Sequence, residues 1–192
     1  MQKEMALKIR KVAFGALGIA LVAGTTVVSA EVETIAQPKA EDWPSYHRTY
    51  NAWRYSPLAK INRGNVGKLQ VAWTHQPGAI THGLQATPVV LDGVVYYSGS
   101  YNRVFAIDGA SGEEVWHYYA KNKPEVEQIA TAPYNRGVSV GNGLVYVDTS
   151  DGRAIALDAK TGKEVWVTQL VDTMKCGCLF TSPPLLVKDK AI

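Results

Sequence analysis

The sequence predicts an all-β protein made of small antiparallel sheets arranged as a partial β-propeller, and three observations support this fold class. First, a stretch of 25 residues occurs twice at an interval of fifty residues, from Asp92 to Trp116 and from Asn142 to Trp166. Second, both copies alternate short apolar runs with turn residues, which is the pattern of short strands. Third, both copies end in tryptophan. Such a period in an all-β sequence is typical of propeller blades.

The two copies predict at least three short strands each, joined by hairpins. The first copy reads DGVVYYSGSYNRVFAIDGASGEEVW and the second reads NGLVYVDTSDGRAIALDAKTGKEVW. Both place a glycine turn before an apolar strand, then a polar turn, a second apolar strand and a return to tryptophan. The alternative interpretation is a chance hairpin duplication inside a β-sandwich. The shared order and single spacing of the matched positions favour the propeller.

A motif of the form A-x-D-x-x-[ST]-G-x-x-x-W closes each copy, and each position has a physical role. The aspartate ends a strand and can accept hydrogen bonds from the backbone of the turn. The serine or threonine can cap the same turn, and the glycine can take the positive φ that hairpin turns demand. The tryptophan is large enough to span the gap between two stacked sheets. The paired residues are Asp108 and Asp158, Ser111 and Thr161, Gly112 and Gly162, and Trp116 and Trp166.

Further strands are predicted on both sides of the two copies. Residues 182–192 resemble the start of the first unit, and KLQVAWTH at 68–75 resembles the closing strand of another blade, with Trp73 in the tryptophan position. Two near-complete blades cannot close a ring, and they leave open sheet edges. We therefore expect the chain to be part of a longer protein.

The first thirty residues are predicted to be a cleaved signal peptide. The formal net charge of +3 lies in residues 1–30, so positions 31–192 are neutral and contain no basic patch for nucleic acid. A basic start, an uncharged apolar run and small residues at Val28 and Ala30 match an export signal. The alternative is a membrane-spanning helix, but three glycines in the run favour cleavage. The mature protein would then begin near Glu31, outside the cytoplasm and without a stable membrane span.

These patterns divide the chain into three parts. We expect a signal peptide at 1–30, a segment packing on the propeller at 31–67, and an incomplete propeller at 68–192 with blade repeats near 84–116 and 134–166 and a third begun at 181–192.

The remaining titratable and sulfur-containing residues give weaker signals. Cys176 and Cys178 are too close in sequence for spacing to predict a bridge, and two ligands are too few for zinc. We expect small, partly buried thiols. The histidines show no metal-ligand spacing and are interpreted as ordinary polar residues. Four aspartates are interpreted as turn and strand-end residues, namely Asp92, Asp148, Asp151 and Asp172.

The chain resembles the pyrroloquinoline quinone (PQQ) dependent alcohol and methanol dehydrogenases, whose fold is an eight-bladed propeller. The tryptophan motif is shared with other propellers and is moderately specific. More specific is DWPSYHRTYNAWRYSPLAKINRGNVGKLQVAWTHQPG, from Asp42 to Gly78, which is similar to the opening segment of the family. Later segments follow in the order and spacing of the family, so the resemblance covers about 150 residues.

The resemblance implies a redox function that depends on a cofactor. Family members hold PQQ, a planar quinone with three carboxylates, beside a calcium or lanthanide ion that polarises the quinone. An aspartate acts as general base on the alcohol, hydride moves to PQQ, and electrons pass to a cytochrome c or quinone acceptor. The resemblance thus implies an alcohol substrate and a periplasmic oxidoreductase.

Three residues match positions that contact the cofactor in this family. Arg136, in YNRGV, corresponds to an arginine that can pair with a PQQ carboxylate. Thr181, in LFTSPP, corresponds to a threonine that donates or accepts a hydrogen bond with the cofactor. Gln85, in GLQATP, stands where the methanol and ethanol enzymes have a glutamate. The chain departs from those enzymes at Ala130 and Thr131, where they have two adjacent cysteines, and this divergence puts the alcohol substrate in doubt.

No catalytic or metal-binding residue is assigned within the chain. In the order of the family, the metal ligands and the general-base aspartate lie beyond Ile192, so we expect the 192 residues to be inactive alone. The alternative function is a non-catalytic propeller that binds partners, such as an outer-membrane assembly lipoprotein with the same motif. Such a lipoprotein needs a cysteine at its cleavage site, and residues 1–40 contain none.

Overall fold

A computed structural model describes residues 35–78, 80, 83–129, 133–187 and 190–192. The predicted signal peptide lies outside the described residues, as do Ala130 and Thr131. Within the described ranges, no helix has both the length and the apolar character needed to cross a membrane.

The described residues form three antiparallel sheets, each with its strands in chain order. The first sheet contains β1 (Val89–Leu91), β2 (Val94–Gly99), β3 (Arg103–Asp108) and β4 (Glu114–Tyr119). The second contains β5 (Ser139–Gly141), β6 (Leu144–Asp148), β7 (Arg153–Asp158) and β8 (Glu164–Gln169). The third is a hairpin of β9 (Leu186–Val187) and β10 (Lys190–Ala191).

Short helices lie before, within and between these sheets in the sequence. Two 3₁₀ turns span Val66–Lys68 and Ser100–Asn102. Helix α1 (Pro124–Ile129) lies between the first and second sheets in sequence, and α2 (Thr173–Cys176) lies between the second and third.

The main core lies between the first two sheets. One face of β3 contributes Val104 and Ala106, and these side chains pack with Val145 and Ile155 from the second sheet. The opposite face of β3 is also buried, because Phe105 packs with residues that include Trp73. The first sheet is therefore covered by the second sheet on one face and by the segment that contains Trp73 on the other, and the two sheets stack face to face as propeller blades do.

Two tryptophans dock on a motif turn as predicted, Trp116 from the first sheet onto the second and Trp73 from the segment before the first sheet onto that sheet. The Trp116 indole Nε1 donates to the Ala159 carbonyl at 2.9 Å. The ring covers Gly162, where an added Cβ would lie 2.6 Å from ring atoms. Trp73 makes the equivalent bond to the Gly109 carbonyl, at 3.1 Å. Trp166 occupies the same motif position but is 38% exposed within the described structure.

The turn that receives each tryptophan is closed by its aspartate. Asp158 accepts hydrogen bonds from the backbone N–H groups of Lys160 and Thr161 and from the Thr161 hydroxyl. The Thr161 hydroxyl bond is the largest cause of the lowered pKa of Asp158. Gly162 follows with a φ of 69°, the positive value that the motif predicts.

One predicted strand is absent. Residues 69–75 have no ladder with another described residue and are not a strand, because a strand requires a hydrogen-bonded neighbour. Trp73 nevertheless docks as predicted. The preceding segment contacts β1 through Trp43 and Val90, whose backbones exchange two hydrogen bonds of 2.8 and 2.9 Å.

Candidate functional site

The three predicted site residues lie just before the first strands of the three sheets. Gln85 precedes β1, Arg136 precedes β5 and Thr181 precedes β9. Backbone hydrogen bonds join these segments. The Arg136 N–H donates to the Thr181 carbonyl at 2.8 Å, and the Arg136 carbonyl accepts from the Thr87 N–H at 3.2 Å. The structure therefore brings Arg136 and Thr181 into contact and places the Gln85 segment beside them.

The Arg136 guanidinium is the main cationic group of this site. Its Nη1 donates to the Thr181 hydroxyl at 2.5 Å. Its Cζ lies 4.9 Å from the centre of the Tyr134 ring. No carboxylate of the described residues lies within ion-pair distance of it, and the residue is exposed. A guanidinium held by a hydroxyl and an aromatic ring, but not neutralised by a carboxylate, is suited to an anionic ligand.

Sequence analysis missed Asn135, which fixes the backbone next to Arg136. Asn135 is 1% exposed. Its amide Nδ2 donates to the Asp148 carbonyl at 2.7 Å, and its Oδ1 accepts from the Ser98 hydroxyl at 2.8 Å and from the Gly137 N–H at 3.0 Å. Ser98 belongs to the first sheet and Asp148 to the second, so one buried side chain ties both blades to the arginine segment. In the sequence, the position of Asn135 next to Arg136 is the single indication of this role.

An apolar cavity of about 200 Å³ borders Arg136. The opening segment contributes Pro44 and Tyr50, the residues before β5 and β9 contribute Val138 and Pro184, and β9 itself contributes Leu186, among other residues. Apolar walls with a few polar groups are the usual composition of small-molecule sites.

The prediction of two thiols is wrong. Cys176 and Cys178 form a disulfide, with their Cα atoms 5.2 Å apart, inside the range that a disulfide spans. Gly177 takes a left-handed conformation (φ 65°, ψ 13°) at the end of α2. Because glycine adopts this conformation without steric cost, the chain can turn sharply enough to bring together the two cysteines on either side of Gly177.

Three of the four aspartates interpreted as turn and strand-end residues occupy such positions, and the fourth, Asp172, lies at a helix N-terminus instead. Asp92 and Asp151 lie in turns, Asp148 ends β6, and Asp172 caps α2 by accepting from the Met174 N–H. Asp148 differs from the others because burial alone raises its pKa to about 6.

We expect Asp148→Asn to stabilise the protein at neutral pH but not at pH 4. The raised pKa means that the folded state binds a proton more tightly, so stability falls as pH rises from about 4 to about 6. Above that range the folded state bears a partly desolvated charge, which asparagine removes. Because the group is only half-buried, solvent screening limits the gain in unfolding free energy at pH 7.5 to about 1 kcal/mol.

Urea denaturation at pH 4 and pH 7.5 measures this difference. Glu113→Gln removes an exposed carboxylate from a turn and serves as the control, with little change expected at either pH. An equal change in the free energy of unfolding at both pH values for Asp148→Asn would contradict burial of the charged carboxylate as the cause.

A second polar cluster lies on the first sheet, around Glu114 at the start of its last strand. Glu114 bonds His75 at 3.2 Å and His117 at 2.5 Å, and the His117 hydrogen bond is the main cause of its lowered pKa. The other nitrogen of His75 contacts the Tyr97 hydroxyl at 2.6 Å, and burial raises the pKa of Tyr97 to about 12. These side chains pair with one another, as structural polar residues do.

Comparison with known proteins decides the family. Residues 43–142 match the family model described as "PQQ: Glucose/ethanol/alcohol dehydrogenase, beta-propeller domain". The chain belongs to this PQQ dehydrogenase family. The resemblance predicted from the opening segment and the tryptophan motif is therefore confirmed, and so is the all-β partial propeller.

Individual members of the PQQ dehydrogenase family match over part of their length. Quinohemoprotein alcohol dehydrogenase ADH IIB of Pseudomonas putida is 41% identical over 126 residues, which are 63% of this chain and 17% of that protein. The quinohemoprotein alcohol dehydrogenase of Comamonas testosteroni is 39% identical over 108 residues, or 55% of this chain and 15% of that protein. The chain therefore spans about a sixth of the length of these curated relatives.

Solved structures of PQQ dehydrogenases superpose on most of the chain. A europium-containing methanol dehydrogenase has a TM-score of 0.75 and 34% identity, covering 83% of this chain and 28% of its own. The quinohemoprotein alcohol dehydrogenase ADHIIG from Pseudomonas putida has a TM-score of 0.75 and 36% identity, covering 85% of this chain and 25% of its own.

Proposed function

We propose that this chain is the amino-terminal part of a periplasmic PQQ-dependent dehydrogenase that oxidises an alcohol and passes the electrons to a cytochrome c or quinone acceptor. The observation that carries the proposal is the Arg136–Thr181 contact at the starts of neighbouring blades, in a chain of the PQQ dehydrogenase family. A scaffold function is less well supported, because the relatives named above are alcohol dehydrogenases.

The residues present fit the cofactor chemically. PQQ has three carboxylates on a planar ring system, and the site offers a guanidinium that no described carboxylate neutralises, together with the Thr181 hydroxyl. Arg136 would hold a carboxylate through charge-assisted hydrogen bonds, and Thr181 would orient the guanidinium. Gln85, which is exposed, would supply an amide contact.

The cofactor would supply the hydride acceptor for the alcohol, and the chain's own residues would bind and orient the cofactor. Asn135 would keep the arginine backbone in place between two blades, and the apolar cavity would exclude water from one side. A calcium or lanthanide ion is part of the proposal, with its ligands and the general base expected beyond Ile192. One solved relative is described as europium-containing.

Arg136→Ala is expected to weaken PQQ binding about 10- to 100-fold. Charge-assisted hydrogen bonds contribute about 1.5–3 kcal/mol, and each 1.4 kcal/mol is a factor of ten. Arg136→Lys should retain part of the affinity, because lysine keeps the charge but lacks the planar fork. Equilibrium dialysis with free PQQ measures the affinity and does not depend on turnover.

Arg63→Ala is the matched control, because Arg63 is an exposed arginine outside the site. It should leave PQQ affinity unchanged. If Arg136→Ala bound PQQ as tightly as the unaltered protein, the proposed cofactor site would be wrong.

A further inference from the structure

The Cys176–Cys178 disulfide lies in the connection that carries the chain from the second sheet to Thr181. The sequence contains two cysteines in all, so this is its single possible internal disulfide. The bridge spans one residue, and such a short loop restricts the unfolded chain less than a long one does. Stabilisation of the fold therefore does little to explain the presence of this disulfide.

The disulfide is also accessible. Cys176 is exposed and Cys178 is half-buried. Thiol–disulfide exchange requires that an attacking thiolate reach a sulfur atom, and exposed disulfides are the labile and regulatory ones. The geometry at this position therefore allows attack without unfolding of the sheets.

The connection is anchored on both sides of the disulfide. On one side, the Leu170 N–H donates to the Gly152 carbonyl at 2.8 Å, and Thr173 is buried against the same turn. On the other side, the Thr181 carbonyl accepts the Arg136 N–H. Between them, Gly177 caps α2 by donating to the Thr173 carbonyl at 2.8 Å.

The residues between the disulfide and Thr181 have few other constraints. Leu179 and Phe180 make no backbone hydrogen bond to another described residue. The Cys178 N–H donates to the Cys176 sulfur at 3.3 Å. The bridge holds Cys178 against the end of α2, so its loss would extend the stretch that lacks such links before Thr181 from residues 179–180 to residues 178–180.

We propose that Cys176–Cys178 is a reversible thiol-exchange site, and that its reduction by an external dithiol loosens the connection between α2 and Thr181. A thiolate of the dithiol attacks one sulfur, which breaks the Cys176–Cys178 bond and forms a mixed disulfide. The second thiol of the reagent then attacks the mixed disulfide. Two electrons pass to the protein, the reagent leaves as its cyclic disulfide, and both cysteines take up protons as thiols. This inference is independent of the proposed dehydrogenase function.

The test uses the full chain without denaturant and dithiothreitol as the probe. The protein is equilibrated with the reagent, alkylated, and analysed by mass spectrometry. We expect complete reduction in the folded state. We also expect the disulfide to form again when the ratio of oxidised to reduced dithiothreitol is raised. Reduction that required denaturant would overturn the proposal.

Hydrogen exchange tests the coupling to Arg136. After reduction, the Arg136 amide should exchange about tenfold faster, because its acceptor is the Thr181 carbonyl. Amides paired between β2 and β3 should not change. The double variant Cys176→Ser/Cys178→Ser should exchange like the reduced protein and should not respond to dithiothreitol, which controls for effects of the reagent. Unchanged Arg136 exchange in both reduced and double-variant protein would overturn the loosening.

Discussion

Trp116→Ala is expected to reduce the free energy of unfolding by about 3–5 kcal/mol, the usual cost of removing a buried tryptophan. Trp116 is 8% exposed, lies 6.1 Å from the Tyr96 ring between centres, and donates to the Ala159 carbonyl in the next sheet. Its removal leaves a cavity at the seam between two sheets and takes away one of the two hydrogen bonds that the Ala159 carbonyl accepts, since the Tyr96 hydroxyl also donates to it at 3.3 Å. Urea denaturation followed by circular dichroism measures the loss.

Trp166→Ala is the matched control for this prediction. Trp166 ends the same motif and lies 6.0 Å from Tyr146 in the same tilted arrangement, but it is 38% exposed. Because much of its surface already contacts solvent, its removal from the 192-residue chain should cost about 1 kcal/mol. If both variants lost the same stability, docking across the seam would not be the source of the effect.

Gly162→Ala is expected to destabilise the protein by about 3 kcal/mol, from two separate causes. The residue has a φ of 69°, where an alanine costs about 1–2 kcal/mol. In addition, the new Cβ would lie 2.6 Å from the Trp116 ring, which must move away. Displacing a packed side chain typically adds about 1–3 kcal/mol.

Gly143→Ala separates these two causes. Gly143 has a φ of 70°, but nothing lies within 4 Å of an added Cβ. We expect this variant to show the backbone cost alone, about 1–2 kcal/mol. The same denaturation experiment compares the two variants. Equal losses in the free energy of unfolding would mean that an added Cβ at Gly162 does not clash with the Trp116 ring.

The repeated motif could be predicted because its interactions are local or recur at a fixed interval. The bonds from the turn to Asp158 join residues two or three positions apart, and turn chemistry dictates them. The docking of Trp116 on the following motif could be inferred because the same sequence motif occurs twice. The family resemblance supplied Arg136 and Thr181, which the structure brings together.

Other features could not be predicted because the sequence does not reveal the contacts or backbone conformations on which they depend. Asn135 gains its role from Ser98 and Asp148 on two different sheets, and no periodicity marks it. The disulfide depends on the left-handed turn at Gly177, which the spacing of the cysteines does not reveal. Residues 69–75 have strand-like composition, but a strand also needs a neighbour to pair with.

The Arg136–Thr181 backbone hydrogen bond has a thermodynamic consequence for the association of neighbouring repeats. It joins two consecutive repeats at the point where we propose that the quinone binds, and under that proposal occupancy of the site and association of the repeats are linked equilibria. A ligand that binds only the associated form stabilises it in proportion to the logarithm of ligand concentration. By reciprocity, any substitution that separates the repeats lowers the affinity for ligand, even when it lies far from the guanidinium.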